Sequence, residues 1–168
     1  QRIHFPKSYL EIEQASQRLA FDELFFIQLA SIKTREQWKQ KATVDSIIVD
    51  RKQLSQFIDS LPFELTKSQQ KVIGEISVDL QKGTPMNRLV QGEVGCGKTV
   101  VAATIIYLAH LNNLKTLYMA PTEILAFQHF DTLTKLLSPF GISVGIYTGS
   151  KKMVRRNTTE VIVGTHAL

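Results

Sequence analysis

Residues 92–99 read Gly-Glu-Val-Gly-Cys-Gly-Lys-Thr, a complete G-x-x-x-x-G-K-[ST] string set between the apolar pair Leu89-Val90 and a helix-length apolar stretch, Val100 to Leu111. Few folds accommodate that arrangement, because a strand must deliver a tight backbone curl from which a helix starts at once. Gly92, Gly95 and Gly97 let successive N–H groups converge on one anion. The helix that follows adds the positive end of its dipole. In that frame Lys98 reaches the β- and γ-phosphates of a nucleoside triphosphate, and the Thr99 hydroxyl holds Mg²⁺. The string predicts a site for a nucleoside triphosphate and magnesium.

The rest of the chain is consistent with an α/β domain around this loop. A helix capped by Thr66 runs through Val72, Ile73, Ile76 and Leu80. Strands are expected at Arg88–Gln91, Thr116–Met119, Ile142–Tyr147 and Glu160–Val163, with helices at Thr99–Leu111 and Glu123–Leu137 between them. Strands alternating with helices imply right-handed βαβ units and a parallel sheet covered on both faces. Ligands of such sheets bind at the carboxyl ends of the strands.

Residues 1–60 have a different character. Ser8 and Glu11 form a capping-box pattern, and Ile12, Ala15, Leu19, Leu24, Phe25, Leu29 and Ile32 recur at mostly helical spacing. Leu24-Phe25-Phe26-Ile27 is apolar nearly all round, which predicts burial on more than one side. Arg35 to Lys41 reads as a helix end or linker, and Asp59-Ser60-Leu61-Pro62 as a boundary, since the residue before proline resists helical geometry. The expected division is a helical linker region over 1–60 and a motor-like α/β domain over 61–168.

Composition excludes several classes. The 168 residues are 43% hydrophobic and 21% charged, an ordinary balance for a globular chain with a core. Cys96 is the only cysteine, so neither an intrachain disulfide nor a cysteine metal cluster can form. His4, His110, His129 and His166 lack metal-ligand spacing. No apolar run approaches the ~20 residues of a membrane-spanning helix. Gln1 as first residue suggests a piece of a longer protein, with no signal pattern at its start. The net charge of +5 fits a polyanionic partner without requiring one.

Four further groups carry chemistry. Gln69 has the amide needed to pair with the N6 and N7 edge of adenine, and Phe63 could stack on the base; a core phenylalanine and a solvated glutamine are the alternative. Ala120-Pro121-Thr122-Glu123, Thr148-Gly149-Ser150 and Gly164-Thr165-His166 each follow a strand. They place hydroxyls and backbone amides on one sheet edge, where a sugar-phosphate chain can lie, although each alone also reads as a turn with an N-cap. Lys151, Lys152, Arg155 and Arg156 read equally as a solvated face or as counter-charge for nucleic acid.

Taken together, Leu61-Pro62-Phe63, Leu65-Thr66, Gln69, Met86-Asn87-Arg88-Leu89-Val90-Gln91-Gly92, Met119-Ala120-Pro121-Thr122-Glu123-Ile124-Leu125-Ala126 and Val163-Gly164-Thr165-His166-Ala167-Leu168 resemble the RecG family of superfamily 2 DNA helicases. The resemblance is nearly continuous over 61–168, and Arg18 to Leu24 is similar to that family's helix between wedge and motor. It implies a partial RecA-like domain acting in an ATP-dependent helicase on branched DNA, in repair and recombination. It assigns Phe63, Gln69, Gly92, Gly95, Cys96, Gly97, Lys98 and Thr99 to ATP, with Thr99 on Mg²⁺ and Lys98 and Thr99 as catalytic residues. It assigns Pro121, Thr122, Glu123, Gln128, Thr148, Gly149, Ser150, Thr165 and His166 to DNA. The wedge and second motor domain of a parent chain become the implied partners, with no membrane, in the bacterial cytoplasm or an organelle. Another superfamily 2 translocase, an RNA helicase, and a P-loop kinase or GTPase are the competing readings.

The chain departs from the family pattern in three ways. Glu93 and Cys96 replace the more usual Asp and Ser. The spacing from Ser150 to Gly164 is short. No acidic Asp-Glu motif follows Leu168, so this piece alone is expected to bind ATP weakly and to hydrolyse it little. Cys96, near a helix N-terminus, is expected to alkylate readily and to be protected by ATP.

Overall fold

The computed structural model describes residues 3–41, 46–155 and 158–166. Arg156, Gln1 and the pair Ala167-Leu168, which the sequence reading drew on, lie outside these. The chain divides into two compact units, 1–44 and 45–168.

The first unit is one helix, α1 (Tyr9–Lys41), which continues through the charged stretch from Arg35. Its start follows the expected cap, with the Glu11 N–H donating to Ser8 Oγ at 3.4 Å. The return bond is displaced by one residue, since Glu11 Oε2 accepts from the Lys7 N–H at 2.8 Å. The expected burial of Leu24 to Ile27 is not found: Leu24 is 63% and Phe26 66% exposed. Within this unit the apolar residues meet one another: Phe21 and Phe25, one turn apart, stack with ring centroids 5.9 Å apart.

The second unit begins before residue 60. Asp50 caps α2 (Arg51–Asp59), its Oδ1 accepting from the Lys52 and Gln53 N–H groups at 2.8 and 3.2 Å. This short helix sends Phe57 into the core, so packing places the boundary at 44/45 rather than near 60. Then come α3 (Lys67–Leu80), α4 (Lys98–Leu111), β1 (Thr116–Met119), α5 (Glu123–Leu137), a 3₁₀ turn at Ser138–Phe140, β2 (Val144–Tyr147), β3 (Lys152–Met153) and β4 (Val161–Gly164).

The strands form one sheet in the order β1-β4-β2-β3. Both pairings of β4 are parallel, in register Met119↔Gly164 and Tyr147↔Gly164 at the carboxyl ends. That register aligns the three segments that follow these strands. One apolar core joins Ala103, Ile106 and Tyr107 of α4 to Leu133 and Leu137 of α5 and to Val161 and Val163 of β4. A second packs Ile73 and Ile76 of α3 on Val100 and Val101 of α4. Buried positions therefore cover more than one face of α4. The expected cover on both sheet faces is incomplete, since Leu117 and Met119 of β1 are exposed.

No strand forms at Arg88–Gln91. Leu89-Val90 has local strand character, but a strand exists only with a ladder partner. The segment shares an open apolar concavity of about 290 Å³ with β1, lined by Val90 from the segment and by Thr116 and Tyr118 from the strand. It is held to α3 instead: Arg88 Nη1 donates to Glu75 at 2.7 Å and Nε to Asp79 at 3.0 Å. The Lys82 ammonium and the Arg88 guanidinium together hold the Asp79 carboxyl below its ordinary range.

The antiparallel strand β3, also absent from the sequence reading, depends on Gly145 in β2. A Cβ there would stand 2.7 Å from the Met153 carbonyl oxygen and 2.8 Å from Thr159 Cγ2. The first obstacle is backbone and cannot rotate away. Gly145→Ala is expected to cost ~1–3 kcal/mol through overpacking. The measurement is urea unfolding, which should show a lower midpoint at unchanged slope.

Candidate functional site

The glycines of the 92–99 loop meet the geometric demand that placed them there. Gly95 and Gly97 have φ of +84° and +83°, in the left-handed region where a Cβ is strained. Gly97 is the N-cap of α4, so Lys98 and Thr99 occupy the first helical positions, at the positive end of the dipole. Lys98 folds back over the loop, its Nζ donating to the carbonyl oxygens of Gly92 at 2.8 Å and Glu93 at 2.9 Å. Nζ also stands 3.6 Å from Cys96 Sγ, and Cys96 is exposed. At Gly92 a Cβ would come within 2.4 Å of that sulfur.

Gln69 sits between helix and loop. Within the α3 capping box its Oε1 accepts from the Thr66 N–H at 2.8 Å, and its own N–H donates to Thr66 Oγ1 at 3.2 Å. Its Nε2 donates to the Cys96 carbonyl oxygen at 2.9 Å. Space at Gly97 makes this reach possible, for a Cβ there would lie 2.3 Å from Gln69 Nε2. One N–H and one lone pair of the amide remain. Phe63 stands half-exposed in the turn before α3.

A link the sequence did not suggest runs from the loop into the sheet. The Thr99 side chain stands beside the Tyr118 hydroxyl, and that hydroxyl lies 3.4 Å from Nδ1 of His129 on α5. Burial raises the Tyr118 pKa above the usual phenol value.

At the carboxyl ends of β1, β2 and β4 the three polar segments come together as their spacing implied. The Ala120 N–H donates to the Gly164 carbonyl oxygen at 2.8 Å, which carries the pairing of β1 and β4 to the start of the 121–123 and 165–166 segments. Thr122 caps α5, its Oγ1 accepting from the Leu125 N–H at 3.3 Å. Pro121, Gln128 and His166 are exposed, and Thr165 is partly buried. Thr148 is fully buried, its hydroxyl oxygen accepting from the Lys151 N–H at 3.1 Å. Glu123, at the first position of α5, turns toward residues 148–150. The Ser150 N–H and hydroxyl donate to its carboxylate and hold its pKa below the ordinary range. Lys151 lies over the Phe127 ring and Lys152 over that of Tyr147, so both ammonium groups stay beside this edge.

Comparison with known proteins agrees with this layout. Residues 66–168 match the DEAD/DEAH box helicase family model. The chain is 40% identical over 176 residues to the ATP-dependent DNA helicase RecG of Synechocystis, covering 99% of this chain and 21% of that protein. It is 39% identical to RecG of Thermotoga maritima, again over 99% of its length and 22% of the relative. A solved structure of RecG bound to a three-way DNA junction superposes with a TM-score of 0.81 at 38% identity, over 99% of this chain and 24% of that one. The chain thus spans about a fifth of the length of these curated relatives.

Proposed function

This chain belongs to the DEAD/DEAH box helicase family, and from that membership we propose that it is the ATP-binding part of a motor that remodels branched DNA. The observation that carries the reading is the phosphate loop, with Gly95 and Gly97 in left-handed geometry and Lys98 and Thr99 opening α4. The likeness to RecG over nearly the whole chain supports DNA as the partner and a RecA-like domain as the framework. Forked DNA or a Holliday junction is the proposed substrate, with a wedge and a second motor domain supplied by the full-length protein.

The chemistry follows from the residues. The Lys98 ammonium exchanges the Gly92 and Glu93 carbonyl oxygens for phosphate oxygens, where its charge stabilises the phosphate of the departing diphosphate. Thr99 would hold Mg²⁺ through its hydroxyl, and the ion would supply charge that neutralises the phosphates. Gln69 turns its spare N–H and lone pair to N7 and N6 of adenine. Pro121, Thr122, Gln128, Gly149, Ser150, Thr165 and His166 line the edge along which the DNA backbone would run, while Thr148, fully buried, shapes the turn from beneath instead of meeting DNA; repair and recombination are the proposed setting and the bacterial cytoplasm or an organelle the place.

The decisive experiment measures ATP turnover by the full-length protein without nucleic acid and with linear duplex, forked DNA or structured RNA. Strongest stimulation by forked DNA is expected. Equal stimulation by plain duplex would reduce the proposal to a general translocase, and stimulation by RNA alone would overturn the DNA assignment. At the base site, Gln69→Ala should weaken ATP binding roughly tenfold, as loss of a paired base contact does. Displacement of a fluorescent ATP analogue by ATP and by GTP reads this out. Unaltered ATP-over-GTP preference would remove Gln69 from the adenine site.

A further inference from the structure

The carboxylate of Glu123 is engaged across a sequence gap of 27 residues. Its Oε1 accepts from the Ser150 N–H at 2.9 Å and its Oε2 from the Ser150 hydroxyl at 2.9 Å. The Gly149 N–H and the Thr148 hydroxyl add further contacts to the same group. Gly149 is tied to this arrangement, since a Cβ there would stand 3.1 Å from Glu123 Oε1. The carboxylate is thus held by both donors of Ser150, at the end of the 148–150 turn. On the other side it is rooted in α5, whose first position it occupies directly after the Thr122 cap.

Charge argues against a phosphate contact by this residue. A carboxylate and a phosphodiester repel, and the donors that could bridge them are already turned to the carboxylate. What the hydrogen bonds accomplish is mechanical: they fix the turn after β2 to the helix that follows β1. Those two strands are not neighbours, because β4 lies between them. Backbone pairing therefore links residues 121–123 to 148–150 only through β4, whereas Glu123 joins them directly.

We propose that Glu123 is a positioning residue, a clasp that joins the 121–123 and 148–150 segments into one rigid DNA-facing surface without itself touching DNA. The proposal rests on the DNA-motor reading of this edge. Glu123→Ala releases the turn, and DNA then has to order it on binding, which weakens affinity. Glu123→Gln retains the function in large part, since its Oε1 accepts the Ser150 N–H and its Nε2 donates to Ser150 Oγ.

The test uses the full-length protein and the concentration of forked DNA giving half-maximal ATPase stimulation. Glu123→Ala should raise that concentration roughly tenfold, as loss of charge-assisted hydrogen bonds does. KM for ATP and turnover at saturating DNA should stay at wild-type values, and Glu123→Gln should recover most of the loss. With Ser150→Ala already present, which removes the hydroxyl bond and keeps the backbone N–H one, Glu123→Ala should cost measurably less than it does alone. Tighter or unchanged DNA affinity in Glu123→Ala would overturn the clasp, as would fully additive effects. Amide exchange of residues 148–151 without DNA separates the two claims, since Glu123→Ala should accelerate it. Unchanged exchange sinks the clasp whatever DNA does. A wild-type protein that no DNA stimulates sinks the motor reading, and with it the role given to Glu123.

Discussion

Lys98→Ala is expected to lower ATP turnover of the full-length protein by roughly 10²–10³-fold, the loss typical of removing one preorganised charge-stabilising donor. The side chain leaves the first position of α4 and lies over the loop, its ammonium already turned to the space that the backbone N–H groups surround. Little reorganisation separates this state from phosphate binding, so most of the interaction is available to the transition state. The folded domain should barely notice the change. The carbonyl oxygens of Gly92 and Glu93 that lose the ammonium are on exposed residues, where water replaces it. Turnover should therefore collapse at an unchanged unfolding midpoint. Near-normal turnover in this variant would refute the assignment of the loop.

The second large effect concerns stability. Phe57 is 0% exposed and stacks on Tyr107 with centroids 4.6 Å apart, while Phe140 meets both rings at 5.2 and 5.0 Å. Three elements distant in sequence meet at this cluster. Phe57→Ala removes its centre and leaves a cavity, at an expected cost of ~3–5 kcal/mol. Against a typical domain stability of ~5–15 kcal/mol, that is enough to populate the unfolded state visibly. A denaturation series on the same protein measures it directly. Were α2 only a linker passing over the surface, the substitution would cost less than about 0.5 kcal/mol, and such a value would detach residues 46–60 from the domain.

Legibility from sequence followed the range of the interactions. Thr116–Met119 and Glu123–Leu137 appear with the expected bounds, because each carries its own signal: an apolar run after a polar turn, and a threonine cap before a helical period. The phosphate loop was legible because its chemistry is contiguous. Arg88–Gln91 was misread because pairing depends on what lies beside a strand, and Leu89-Val90 says nothing about that. Helix α2 was missed for brevity; Leu54, Phe57 and Ile58 are helically spaced, and Asp50 was the cap to notice. The second engagement of Gln69, with Cys96, and that of Glu123, with Ser150, each span 27 residues. Both depend on tertiary placement that no local pattern encodes.

Helix α3 grips the chain before and within the nucleotide loop. Arg88, just before it, is bound by Glu75 and Asp79, and Cys96, inside it, by Gln69. The strap thus has two supports, α3 along its length and α4 at its end, and only α4 is packed on the sheet. A tilt or slide of α3 would pull on the loop at Arg88 and Cys96 while Lys98 and Thr99 stay with α4. Pressure applied to one helix by a neighbouring body then becomes movement at the phosphates.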